Sequence, residues 1–334
     1  MDGPYSVGII GTGRDLLSVG WQVAAELCRS SELLERLYLV NRTQRNAAAL
    51  QEYLTVMVSQ RIFPLKPIVT LCTLDELVEA EPLVTFISLD ASSPVDGVHW
   101  RERVAAGASR DDFLAANLPA IYDCAAAFNE RARRYAGRVL VCTNPIDILT
   151  YFFLRESGLD ASLVAGFNEG DRERFRRILL TEFQKGQPLL ELTDVDAWVI
   201  GTHNEYAVPV FSNATIAGYS FTECEQHQKK DPTFLRASLR RQLIGEAGRW
   251  MHLLGSTSPE IASCMMRVIE AAAHDSPYQP SLSVLTSYNQ TNVCIGQRVS
   301  FRNGIVPVPM VLEHSETEQY HRSKDALIHQ LMRL

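Results

Sequence analysis

The chain has 334 residues, 46% of them hydrophobic and 21% charged, with a formal net charge of −7. This is the composition of an ordinary globular protein, and the length implies two domains or one large α/β unit. It excludes a basic nucleic-acid footprint and a spanning apolar run of about 20 residues, and the seven cysteines, without CxxC spacing, argue for reduced, buried thiols rather than zinc.

The N-terminal MDGPYSVGII enters a strand with no basic and then apolar leader, so a cytoplasmic location is expected. YSVGIIG reads as a strand, GWQVAAELCRS as a helix and LERLYLV as a strand. RNAAALQEYLTVMVSQR follows as a helix, with IVTLCT and LVTFISLD as short strands. DDFLAANLPAIYDCAAAFNERARRY is a long amphipathic helix, and RVLVCTN a strand. This rhythm predicts a Rossmann-type, doubly wound parallel sheet. Past residue 150 the pattern changes. RERFRRILLTEFQ is helical, and ELTDVDAWVIGTH and AVPVFSNATIAG read as paired strands. Two helices follow (TFLRASLRRQLIGEAGRWMHLLG and SPEIASCMMRVIEAAAH), then antiparallel strands PSLSVLTSYNQ, VCIGQRVSFRNG and IVPVPMVLE, then a closing helix. The expected fold is therefore α/β: a dinucleotide-binding domain over residues 1–150 and an α+β substrate and catalytic domain over 151–334.

GIIGTGRDLLSVGWQVAAEL sits just after the first strand, where glycines let backbone approach a pyrophosphate on a helix N-terminus. Gly11 and Gly13 fit the first two positions of GxGxxG, but Leu16 takes the third. The pattern is restored if a four-residue piece such as RDLL is an insertion, leaving Gly20 for close helix packing. The second strand ends in Asn41, Arg42 and Thr43, with Arg45 beyond, where an NAD enzyme usually places a carboxylate. An arginine there can pair with a 2′-phosphate, and NRT after a strand resembles the NADP-binding turn of shikimate dehydrogenases. NADP is the preferred cofactor and NAD the alternative; a solvated basic turn is the plain reading of the same residues.

WVIGTHNEYAVPV holds one histidine, His203, in a polar turn between two apolar runs. By itself it reads as a loop residue. Four stretches then fall in chain order: ASRDDFLAANLPAI, VCTNPIDILTYFFLRESGL, GDRERFRRIL and WVIGTHNEYAVPV. Together they resemble the lactate/malate dehydrogenase family, over nearly the whole chain. The resemblance implies hydride transfer between a nicotinamide and a 2-oxo or 2-hydroxy acid. It implies His203 as the acid/base, Asp171 as the carboxylate that orients it, and Arg174 as the clamp on the substrate carboxylate. Arg110 matches a loop arginine that stabilises charge on the carbonyl oxygen, and its seven-residue spacing to Asn117 agrees with the family pattern. Asn144 matches an amide that hydrogen-bonds that oxygen, and Thr257 a residue lining the substrate pocket. Read singly, Asp171 and Arg174 are a helix i, i+3 ion pair, Arg110 a loop charge and Asn144 a turn former.

The chain departs from the family in DASSPVDGVHWRERVAAGASR, which is several residues longer and places Val104, or Arg103 under a different gap, at the position that selects substrate. Val104 there disfavours oxaloacetate; Arg103 leaves a dicarboxylate open. His99 and Trp100 on that loop would suit a larger or more apolar acid, while a plain surface insertion explains the length equally. Asn204 and Glu205 replace the Gly-Asp that follows the histidine in lactate dehydrogenases, and Gly170 stands where the family has an apolar residue. The expected partners are a small-molecule acid and further copies of the chain, as a homodimer or homotetramer, with no nucleic acid and no membrane. A catalytically inactive relative that binds a nucleotide or a protein is the alternative.

Overall fold

The computed structural model describes residues 3–13, 18–89, 110–228, 230–254 and 258–334. They fall into two compact units. The first takes residues up to Phe167 together with Ser258–Tyr278 and Ser300–Val306; the second takes Asn168–Thr257, Gln279–Val299 and Pro307–Leu334. Both units are thus assembled from discontinuous pieces of chain, which a single cut at residue 150 would not produce.

In the first unit β1 (Tyr5–Ile10), β2 (Leu34–Val40), β3 (Ile68–Leu71), β4 (Val84–Ile87), β5 (Arg138–Val141) and β6 (Val164–Phe167) run parallel in the order 3-2-1-4-5-6. This is the expected doubly wound arrangement, with its switch point between β1 and β4, where such sheets take ligands beyond the strand carboxyl ends. The connecting helices are α1 (Val19–Ser30), α2 (Gln44–Ser59), α3 (Leu74–Ala80), α4 (Arg110–Asn129) and α5 (Ile146–Ser157). β4 is buried at every residue, as a central parallel strand with both faces covered should be. Phe128 of α4 meets Phe153 of α5 and Tyr135 edge-on, at 5.4 and 4.9 Å between ring centroids. The Tyr135 hydroxyl finds Thr85 at 2.8 Å, so the one polar atom of this aromatic cluster is satisfied. Three of these elements are absent from the sequence reading. α3 is set by a capping box, in which Thr73 and Glu76 each accept from the other's backbone N–H. α5 lies inside the TNPIDILTYFF stretch, and β6 is four buried residues, too short to show a period.

The second unit is built on α6 (Glu169–Phe183), followed by the antiparallel strands β7 (Val195–Ile200), β8 (Val208–Ile216) and β9 (Tyr219–Ser220). α7 (Phe221–Gln226) and α8 (Pro232–Leu254) complete the run. Phe175, Leu179 and Phe183 of α6 pack with Val195, Ala197, Phe211 and Phe221 in one buried core. α9 (Ser258–His274) belongs to the first unit, where the His274 ring meets Tyr5 edge-on at 5.1 Å. β10 (Ser281–Tyr288) and β11 (Thr291–Ser300) form a hairpin in the second unit. Asn289 and Gln290, both at positive φ, make its two-residue turn, the left-handed geometry that matches strand twist. Beyond β11, the expected strand IVPVPMVLE is mostly irregular.

The closing helix α10 (His314–Leu331) is tied to β8 by one carboxylate. Buried Glu316 accepts from the backbone N–H of Phe211 (2.7 Å), Ser212 (3.0 Å) and Glu313 (3.0 Å) and from the Ser212 hydroxyl. Glu316→Ala strands these buried donors and should destabilise the protein by roughly 2 kcal/mol or more. The check is a lower urea midpoint at unchanged slope.

Candidate active site

The first unit offers a nucleotide loop at the end of β1. Gly11 has φ +87°, and a Cβ there would lie 2.2 Å from the Ser88 carbonyl at the end of β4. Only glycine fits both the left-handed backbone and this approach at the switch point. Gly20, on α1, would bring a Cβ to 2.3 Å from the Gly11 carbonyl. Gly20 therefore does the close packing that the third glycine of the pattern does, seven residues beyond Gly13 instead of three. Leu16 and its neighbours at 14–17 lie outside the described residues.

Asn41 ends β2 with its side chain spent on this loop. Its amide donates to Thr12 Oγ1 at 2.7 Å and to the Gly13 carbonyl at 3.0 Å, and its Oδ1 accepts from Thr43 N–H at 3.3 Å. It is a brace, a role sequence reasoning did not assign. Arg42, Thr43 and Arg45 are exposed at the same end. Loop, helix start and basic turn together fit a dinucleotide: backbone can come close, and the nearby charge is positive.

At the end of β5, Asn144 is exposed, and its peptide bond to Pro145 is cis. Its carbonyl accepts from Asn117 Nδ2 of α4 at 2.8 Å, and the neighbouring Thr143 hydroxyl accepts from Leu89 N–H at 2.7 Å. So Asn117, noted in the sequence only for its spacing, ties the helix that Arg110 opens to the strand end carrying Asn144. Burial pushes the Cys142 thiol up to about 12, so this neighbour stays protonated and is no nucleophile. The Arg110 side chain, Thr257 and the segment holding His99, Trp100, Arg103 and Val104 lie outside the described residues.

In the second unit, Asp171 sits in the first turn of α6 and is almost fully buried. Its Oδ1 accepts from Arg174 Nη1 at 2.9 Å, and its Oδ2 meets His203 Nδ1 at 2.6 Å. Asp171 thus holds the imidazole by Nδ1. The His203 side chain is 21% exposed and that of Arg174 3%. Structure thus brings together three residues that the sequence separates by up to 32 positions.

The turn bearing His203 is itself locked. Gly201 and Gly296 of β11 exchange backbone hydrogen bonds at 2.9 and 3.0 Å. A Cβ on Gly296 would lie 2.5 Å from the Gly201 carbonyl. Thr202 N–H donates to Ser323 Oγ of α10 at 2.8 Å. Asn204 Oδ1 accepts from the Thr202 hydroxyl at 2.5 Å and from Tyr206 N–H at 2.8 Å. Asn204, a departure from the family pattern, is therefore the residue that folds the turn. Among the described residues no group of His, Cys, Asp and Glu could hold a metal ion, and no helix is long and apolar enough to cross a membrane.

No protein-family model matches the chain. Over 202 residues it is 32% identical to an L-lactate dehydrogenase of Geobacillus sp. (strain WCH70), covering 58% of this chain and 60% of that protein. Malate dehydrogenase 1 of Aquifex aeolicus (strain VF5) is 28% identical over 235 residues, 66% of this chain and 65% of the relative. The sequence match thus spans about 60% of the length of the first of these relatives. A lactate dehydrogenase from a Medee basin deep-sea metagenome library superposes with a TM-score of 0.81 at 20% identity, over 98% of both chains. A Cryptosporidium parvum lactate dehydrogenase, solved with lactic acid and nicotinamide adenine dinucleotide, gives 0.81 at 18% identity, over 98% of this chain and 97% of that one. The chain is similar in sequence to lactate and malate dehydrogenases over about 60% of its length and shares their fold. Within this lactate/malate dehydrogenase fold, the spacing from Gly13 to Gly20 is where the nucleotide loop leaves the usual pattern.

Gly20→Ala should weaken nicotinamide dinucleotide binding about tenfold or more, because a methyl at that point displaces the Gly11 backbone. Calorimetric titration of the folded variant measures it.

Proposed function

We propose that the protein is a nicotinamide-dependent 2-hydroxy acid oxidoreductase. The observation that supports this most is Asp171 bonded at once to Arg174 and His203, a buried carboxylate with a clamp on one oxygen and a proton carrier on the other.

The bound dinucleotide would supply or take up the hydride. The chain's own residues would do the rest. Arg174, whose guanidinium is nearly fully buried and oriented by Asp171, would hold the substrate carboxylate in a paired, planar contact that a lysine could not copy. His203 would give a proton from Nε2 to the carbonyl oxygen in reduction and recover it in oxidation, while Asp171 stabilises the imidazolium so formed. Arg110 and Asn144 would stabilise charge on that oxygen, and Thr257 would line the pocket.

NADP(H) is the preferred cofactor in this proposal. Its support is the absence of a carboxylate at Asn41, whose amide is committed to the loop, together with exposed Arg42 and Arg45. The NAD-bound Cryptosporidium enzyme keeps NAD(H) as the alternative. The substrate is a 2-oxo acid, and the length of the segment before Arg110 favours one larger than pyruvate. A cytoplasmic homodimer or homotetramer completes the proposal. A non-catalytic nucleotide-binding role gains no support from a site whose acid/base, orienting carboxylate and clamp are all in hydrogen-bond contact.

A panel of free 2-oxo acids with NADPH and NADH, followed by nicotinamide absorbance, tests the reading; no turnover of any acid with either cofactor would sink it. His203→Asn should lower kcat at least about 100-fold with the fold intact. Arg42→Ala should raise the KM for NADPH roughly tenfold and leave that for NADH unchanged. Equal effects on both would remove the NADP preference.

A further inference from the structure

α6 also carries Glu169, Arg172, Glu173 and Arg176, and none of these has a role in the proposed chemistry. Arg172 is 4% exposed and makes three hydrogen bonds of 2.7 Å. Nε donates to the Ala197 carbonyl of β7, Nη2 to Asp196 Oδ1 and Nη1 to Glu169 Oε1. Glu169, fully buried, uses its other oxygen to accept from Ser281 N–H at the start of β10, at 2.7 Å. The Arg172 guanidinium also lies 5.3 Å from the Trp198 ring centroid, and Trp198 Nε1 donates to the Gln279 carbonyl at 3.0 Å. One turn further along, Arg176 Nε donates to the Val195 carbonyl at 2.7 Å.

The spacing explains the pair. Four residues of helix advance about 6 Å and two residues of strand about 6.6 Å. Arginines at 172 and 176 therefore meet carbonyls at 197 and 195 in step, and helix and strand cannot slide past one another without breaking both. Asp171 precedes Arg172 directly, and His203 lies six residues beyond Ala197 on the chain that β7 delivers to the Gly201 bridge. The register of β7 on α6 thus sets where His203 meets Asp171.

We propose that Arg172, keyed by Glu169, is a positioning residue for the Asp171–His203 pair. It touches no reacting atom; it acts through β7. The idea rests on the oxidoreductase reading only for its effect on rate. Such a network is a weak source of stability, since a buried ion pair roughly balances its own desolvation. Its value is in orientation, where a misplacement of about 1 Å can cost on the order of 100-fold.

The test uses the full chain labelled with 15N-histidine. The wild type should show a downfield Nδ1–H proton signal that is missing in His203→Gln. In Arg172→Met that signal should move upfield or broaden away. At the same time kcat should fall about tenfold or more, with KM for the 2-oxo acid changed less than about threefold. Arg172→Lys should not restore the signal, because an ammonium cannot serve three fixed directions. If Arg172→Met fails to fold, the double variant Glu169→Gln with Arg172→Met, which leaves no lone buried charge, carries the same test. A folded variant with an unchanged signal overturns the proposal. So does unfolding of the double variant, which would make the pair a stability element, or a wild type without the signal. Failure of every 2-oxo acid would sink the reaction while leaving the proton signal readable.

Discussion

One carboxylate, Asp171, joins the two halves of the proposed chemistry. Its oxygens are divided between Arg174 on its own helix and His203 on the far side of β7. A charge so far from water is tolerated only when it is paired on both sides. Everything around it serves that condition. α6 repeats the same i, i+3 pairing at Glu169–Arg172 and Glu173–Arg176, at 2.7 and 2.6 Å. The helix is thus buried although its sequence is strongly polar, because Glu169, Asp171 and Glu173 each have a guanidinium three residues on, and two of those guanidiniums also satisfy strand carbonyls.

The first unit solves a different problem, that of bringing backbone close to backbone. Gly11 lies against the β4 end, Gly20 lies against Gly11, and Asn41 ties the end of β2 to both Thr12 and Gly13. An aspartate at position 41 could not donate the two hydrogen bonds that the amide donates. Bracing the loop and lacking a carboxylate at the end of β2 are therefore one and the same choice of residue, and the exposed arginines beside it inherit the electrostatics of that end.

Much of this was legible in the chain. The alternation of short apolar runs with amphipathic segments gave the parallel sheet because period and length agree there. His203, Asp171 and Arg174 could be singled out because four different stretches resembled one family in the same order. α5 and β6 were not legible, since a continuous apolar run such as ILTYFF has no period and VAGF is shorter than one. The inward turn of Arg172 and Arg176 was also hidden. Arginines at i, i+4 on a polar helix look like a solvated face, and only the neighbouring strand shows that they point at carbonyls. Asn204 was read as a departure in the pocket; its two accepted hydrogen bonds make it the fold of the turn.

The bridge between Gly201 and Gly296 bears on how such a protein can change. A Cβ on Gly296 would meet the Gly201 carbonyl, and one on Gly201 the Ser323 side chain and the Tyr206 carbonyl, so neither can be replaced without moving the turn. The turn that presents His203 is accordingly closed to side chains at both glycines, and a substitution at either would be felt at the Asp171–His203 pair.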